Sequence, residues 1–239
     1  MKTLTSTIKT IFVTSLVLLF GIGVNVHALT FEEIPFEFEN YNKGALDWAD
    51  SADDAFTGST ALGFSVTIGG ADYSYFDMSS DGYIELLTSA SDVPTGYGYG
   101  SISGLTSFDS SATYLLAAYD DLSSFADGYY GYKLFSDRAV FYYDTETNYD
   151  EWWDLLNNFE VVLYDDGNVQ WNFNYANYEY DEEYYYDLFS GLYFGNTETL
   201  HELTRNEIPV EKSFIPEPAT LFLLGLGGLA LLRKRREES

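Results

Sequence analysis

From Leu62 onward the chain alternates short apolar runs with clusters of Gly, Asp, Ser and Asn, a rhythm that suits strands and turns rather than helices. The clearest case is Phe159 to Asn174. Val169, Trp171 and Phe173 alternate there with Gln170, Asn172 and Asn174, which predicts a strand with one face in a core and the other turned away. Asp165-Asp166-Gly167-Asn168 separates this arm from Phe159 to Tyr164, and Gly and Asn tolerate the positive φ that tight hairpins demand. The whole stretch therefore predicts a β-hairpin. Further strands are expected at Leu62 to Ile68, Tyr83 to Leu87, Tyr114 to Tyr119, Tyr129 to Phe135, Ala139 to Tyr143 and Gly191 to Phe194, with an Asp81-Gly82 turn ahead of the second. Ile208 to Ser213 reads either as a last strand or as a linker. Many short strands divided by turn signals predict an all-β, antiparallel β-sandwich.

The two ends break this rhythm. Lys2 and Lys9 precede the apolar run Ile11 to Val24, and Val26-His27-Ala28 offers a small-residue cleavage site, the layout of a secretory signal peptide cut after Ala28. An uncut N-terminal anchor is the alternative. At the other end Pro216-Glu217-Pro218 is followed by the uncharged apolar run Ala219 to Leu232, shorter than the about 20 residues of a comfortable membrane span. Arg233, Lys234, Arg235 and Arg236 come next and act as a stop-transfer block that stays on the cytoplasmic side. The prolines hold the triplet extended, in the form a protease reads. The expected organisation is thus a signal peptide over 1–28, an ectodomain over 29–213 and a C-terminal signal over 214–239, with helices in the two apolar ends. A plain single-pass anchor that is never cut would use the same tail.

Charge sharpens the division. The signal holds two of the 11 basic residues and the stretch after Pro218 holds four, against two of the 38 acidic ones, so the part between carries five basic and 36 acidic residues, a net of −31. Such a chain repels phosphates and anionic headgroups, which excludes nucleic acid as a partner, and it attracts cations. Cysteine is absent, which removes disulfides, thiolate metal sites and cysteine nucleophiles together.

The Pro216-Glu217-Pro218 triplet, the Gly-containing apolar run and the basic cluster, in that order, resemble a PEP-CTERM sorting signal. That resemblance implies export through the secretion machinery, a precursor held in the membrane by its C-terminal segment, and processing by an exosortase-type enzyme. It also implies association with exopolysaccharide and biofilm. Between Asp72 and Asn174 the chain is similar to the nidogen-type extracellular domain. Ser80-Asp81-Gly82-Tyr83 stands for the family's Ser-Asn-Gly-aromatic turn, with Asp81 in place of Asn. Ala117-Ala118-Tyr119-Asp120-Asp121-Leu122 resembles its Ala-x-aromatic-x-Asp-Leu segment, with Tyr119 where Trp is common, and Phe159, Leu163 and Gly167 match its hairpin.

Candidate chemistry is sparse. His27 lies in the expected signal, leaving His201, which reads as a surface residue; no zinc-protease helix, nucleophile elbow or phosphate loop is present. Paired carboxylates such as Asp53-Asp54, Asp120-Asp121, Asp165-Asp166 and Glu182-Glu183 are what a glycosidase needs, but so many acids yield pairs by chance. No organic cofactor is expected. Ca²⁺ is the ion left open: Asp144 to Asn148 lacks the Gly and Glu of an EF-hand, and Asp120 and Asp121 are the candidate ligands, in competition with diffuse counterion binding. The Tyr- and acid-rich stretch Asn174 to Asp187 reads either as an exposed surface for sugars or partners, or as an edge loop and strand with Tyr packed inward. The expected function is a non-enzymatic, structural or adhesive protein of the cell surface or extracellular matrix. A calcium-dependent adhesin or glycan-binding module is the alternative, with a secreted glycoside hydrolase behind it.

Overall fold

The computed structural model describes residues 29–92, 112–119, 122–123, 128–147, 156–176, 189–205 and 209–217. The expected signal peptide with Ala28, the pair Asp120 and Asp121, most of the Tyr-rich stretch, Pro218, the C-terminal apolar run and the block Arg233, Lys234, Arg235 and Arg236 lie outside them. Among the described residues no helix is long and apolar enough to cross a membrane.

Among the described residues fourteen strands follow in chain order: β1 (Phe31–Ile34), β2 (Trp48–Asp50), β3 (Thr60–Ile68), β4 (Ala71–Met78), β5 (Tyr83–Leu87), β6 (Thr113–Tyr119), β7 (Leu122–Ser123), β8 (Tyr129–Leu134), β9 (Arg138–Thr147), β10 (Leu156–Tyr164), β11 (Val169–Ala176), β12 (Phe189–Phe194), β13 (Thr199–Arg205) and β14 (Lys212–Pro216). They form an eight-stranded sheet in the order β1-β14-β11-β10-β9-β8-β2, with β7 beside β9, and a six-stranded sheet in the order β13-β12-β6-β5-β4-β3. All pairings are antiparallel, and the two sheets face each other as a sandwich. Thr30–Glu217 is one compact unit of the chain.

The inner layer is aromatic. Trp171, Tyr143, Phe76, Phe141, Phe159 and Phe173 are each essentially inaccessible to solvent, while Tyr83 and Tyr114 are equally buried on the other face of the small sheet. Phe76 of the small sheet meets Phe141 of the large one edge to face at 4.9 Å, a favoured aromatic geometry. Buried polar tips find partners across the layer: the Trp171 indole N–H donates to the Leu116 carbonyl at 2.9 Å, and the Tyr143 hydroxyl reaches the Ser79 and Tyr83 carbonyls. This is how a tyrosine-rich sequence builds a dry core.

The predicted hairpin forms as β10 and β11. Leu163 pairs with Val169, Gly167 takes φ +89°, and Val169, Trp171 and Phe173 enter the core. The opposite face differs from expectation. Gln170 and Asn172 are also buried, because residues 35–46 run as a strap across the outer face of the large sheet. Phe38, Tyr41, Ala45 and Leu46 of the strap pack on Val140, Tyr142 and Val162. The last strand also falls later than Ile208 to Ser213. It begins at Lys212, after a turn in which Glu211 takes φ +52°, and runs through Pro216.

Candidate functional site: a groove under the strap and the sorting strand

Two regions combine unusual chemistry with defined geometry. The first is a groove of about 260 Å³ between strap and sheet. Its floor comes from outward-facing positions of β9, β10 and β11, namely Arg138, Val140, Glu160, Val162, Tyr164, Gln170 and Asn172. Its wall is Glu37, Phe38 and Glu39. Alternation fixes this: Glu160 and Val162 point out because Phe159 and Val161 point in, and Gln170 and Asn172 flank the inward Trp171.

The floor is one hydrogen-bonded chain. Tyr164 donates to Gln170 Oε1 (3.2 Å), Gln170 Nε2 to Asn172 Oδ1 (2.7 Å), and Asn172 Nδ2 to both Glu160 Oε1 (2.7 Å) and the Glu37 carbonyl (2.9 Å). The backbone N–H of Glu39 adds a second bond to Glu160 Oε1 at 3.2 Å. The Glu160 carboxylate thus ties the strap to the sheet, alongside the Asn172 bond to the Glu37 carbonyl and that of Tyr142 to Asn40 Oδ1. Glu160 is 1% exposed, and its Oε2 has no hydrogen-bond partner among the described residues. Burial pushes its pKa up to about 7, against the opposing pull of the Asn172 and Glu39 hydrogen bonds. The group can thus exchange a proton near neutrality, whereas an exposed glutamate would be fully ionised. Arg138 does not compensate it directly. Its guanidinium stacks on the Phe135 ring at 4.2 Å and pairs with Asp137 (3.3 Å) and, at 3.9 Å, with Glu39.

Glu160 is not alone in leaving the surface. Asp77, Asp81 and Glu85 are also buried. Asp77 accepts from the Thr57 hydroxyl at 2.9 Å, and burial raises it to about 6. Glu85 accepts from the Tyr114 hydroxyl at 3.2 Å, and Asp81 from the Ser79 and Ser80 hydroxyls. Among the described residues these four are the buried acids, and the others whose burial is given are partly or fully exposed. Among the described residues no group of three or more His, Asp or Glu is placed to hold a metal ion. His201 is partly exposed on β13, its ring edge to face with Phe194 at 5.5 Å.

The second region is the end of β14. Pro216, the first residue of the triplet, pairs with Phe31 of β1, and the Glu217 N–H donates to the Thr30 carbonyl at 2.8 Å. A proline is tolerated there because bonded and non-bonded pairs alternate along an antiparallel ladder. With Glu217 bonded to Thr30, Pro216 falls at a position that needs no N–H toward β1. The triplet was expected as a free extended segment. Its first two residues are extended, but they belong to the sheet.

Residues 29–183 match the family model described as NIDO related, and residues 214–236 match the PEP-CTERM protein-sorting motif. The first match extends beyond the nidogen-like stretch read from Asp72 to Asn174, taking in the strap and the first three strands. No curated protein and no solved structure matches the chain. The sorting motif carries with it export, a membrane-held precursor and processing by an exosortase-type enzyme. With its sandwich covered from Leu29 to Glu183, this chain belongs to the NIDO-related family and ends in a PEP-CTERM sorting motif.

Proposed function

We propose that the protein is a non-enzymatic component of the cell surface or extracellular matrix, with a structural or adhesive role toward exopolysaccharide. The observation that carries this reading is the junction between domain and tail. Strand β14 runs directly into the sorting motif, so the sandwich itself is the delivered cargo. Its net charge favours a soluble, self-repelling surface that attracts counterions, a property suited to a hydrated polymer matrix.

The experiment is a deletion of 219–239 that leaves β14 and the paired Glu217 intact. The truncated chain is expected to fold, to be exported, and to move from the cell-associated fraction into the medium, as read by quantitative blotting of both. Retention equal to that of the full chain contradicts the proposal.

A further inference from the structure

We propose that strand β1 masks the sorting motif. In this account, which rests on the sorting reading above, the backbone edge of Ile215 to Glu217 is the docking surface for the exosortase-type enzyme. The first strand of the chain's own ectodomain occupies that edge until it peels away.

The pairing is specific. Phe31 faces Pro216, Glu32 faces Ile215, Glu33 faces Phe214 and Ile34 faces Ser213. The Glu217 N–H extends the ladder to Thr30, Lys212 Nζ meets Glu33 Oε1 at 2.5 Å, and the Phe31 ring stands edge-on to Trp171 at 5.5 Å. On its other side β14 is paired with β11 only over Lys212 to Phe214. Among the described residues, β1 is thus the one strand holding Ile215 and Pro216.

An enzyme that reads an extended peptide does so by adding its own backbone as a neighbouring strand, with pockets for alternate side chains. Those backbone groups are already engaged by β1, so enzyme and β1 compete for one edge. The competitor is built to lose. Strand β1 has four residues, lies at the sheet margin, exposes Glu32 and Glu33, and gains little from an exposed ion pair. It also starts close behind Ala28, so a cut there leaves its leading end untethered. Tail processing then proceeds at a rate set by the fraction of molecules with β1 released.

The test joins the two strands covalently. Glu32→Cys with Ile215→Cys places thiols at directly opposed positions, and Cα separations in antiparallel pairs lie within the range a disulfide spans. The native chain has no cysteine, so no other bridge competes. Tail loss from the full-length precursor is followed by intact mass in membranes of the producing cell. The oxidised double variant is expected to convert at least about tenfold more slowly than the wild type, since the bridge removes the open form. Reductant restores the wild-type rate, and each single-cysteine variant converts normally. Glu32→Pro, which removes the ladder N–H at a bonded position, accelerates conversion. An oxidised double variant processed at the wild-type rate overturns the masking proposal and leaves sorting intact. A wild-type chain that keeps its tail in the presence of the enzyme overturns the sorting reading, and this proposal with it.

Discussion

Replacing Gly82 by alanine is expected to lower the stability of the ectodomain by roughly 3 kcal/mol or more, the sum of left-handed backbone strain and overpacking. Gly82 takes φ +74°, and a Cβ there would lie 2.2 Å from the Ala118 carbonyl oxygen and 2.7 Å from its carbon. The contact is with backbone, not with the end of a mobile side chain. That backbone is itself fixed, because the Gly82 carbonyl accepts from both Ala117 N–H (2.8 Å) and Ala118 N–H (3.2 Å), which ties the turn before β5 to β6. Since domains are typically stable by only about 5–15 kcal/mol, such a loss shifts the denaturant midpoint far down or abolishes folding. A midpoint within experimental error of the wild type would show that the turn and β6 are not held together in this way.

The second large effect concerns pH. The Glu160 carboxyl has an ordinary value of 4.5 when exposed and about 7 in the folded domain, raised by burial. Between those values the native state holds a proton that the unfolded state has released. Stability therefore falls as pH rises through this window, and the whole penalty, roughly 3 kcal/mol, is present above the folded value. Asp77 acts in the same direction over a lower window. Glu160→Gln keeps an oxygen for Asn172 and the Glu39 N–H while removing the ionisation. The wild type is expected to lose more stability than Glu160→Gln between about pH 5 and pH 8, by about 3 kcal/mol in denaturant titrations. Parallel curves would show that Glu160 does not hold its proton under the strap.

Much of the sandwich is legible in the sequence because its signals are local. Gly167 and Gly82 mark turns that need positive φ, and the alternation at Val169, Trp171 and Phe173 states which face is inward. What escapes is set by distant contacts. The polar positions Gln170 and Asn172 look solvent-facing in isolation, and only the strap, more than a hundred residues upstream in the chain, buries them. The same strap turns Glu160 from one acid among many into a perturbed one, a change no spacing rule announces. A carboxylate flanked by alternating Asn and Gln on the neighbouring strand is the one trace it leaves, visible only once β10 and β11 are paired.

The C-terminal region shows the reverse. The order of Pro216-Glu217-Pro218, apolar run and basic block reveals its purpose from sequence alone, and the match to the sorting motif bears this out. Its extended form is legible as well, but its place in the sheet is hidden, because proline reads as a break in a strand. It is tolerated here only because of the ladder phase relative to β1. Strand β1 is equally silent: Phe31-Glu32-Glu33-Ile34 is too short to signal a strand without its partner.

Export and sorting through the tail are read out together by the intact mass of the protein recovered from cells and from medium, with peptide mapping around Glu217. The mature protein is expected to start at Leu29 and to end within Pro216 to Pro218, with any added group appearing as mass on that new end. A mature chain that still ends at Ser239 would contradict that expectation and make the protein a tail-anchored membrane protein.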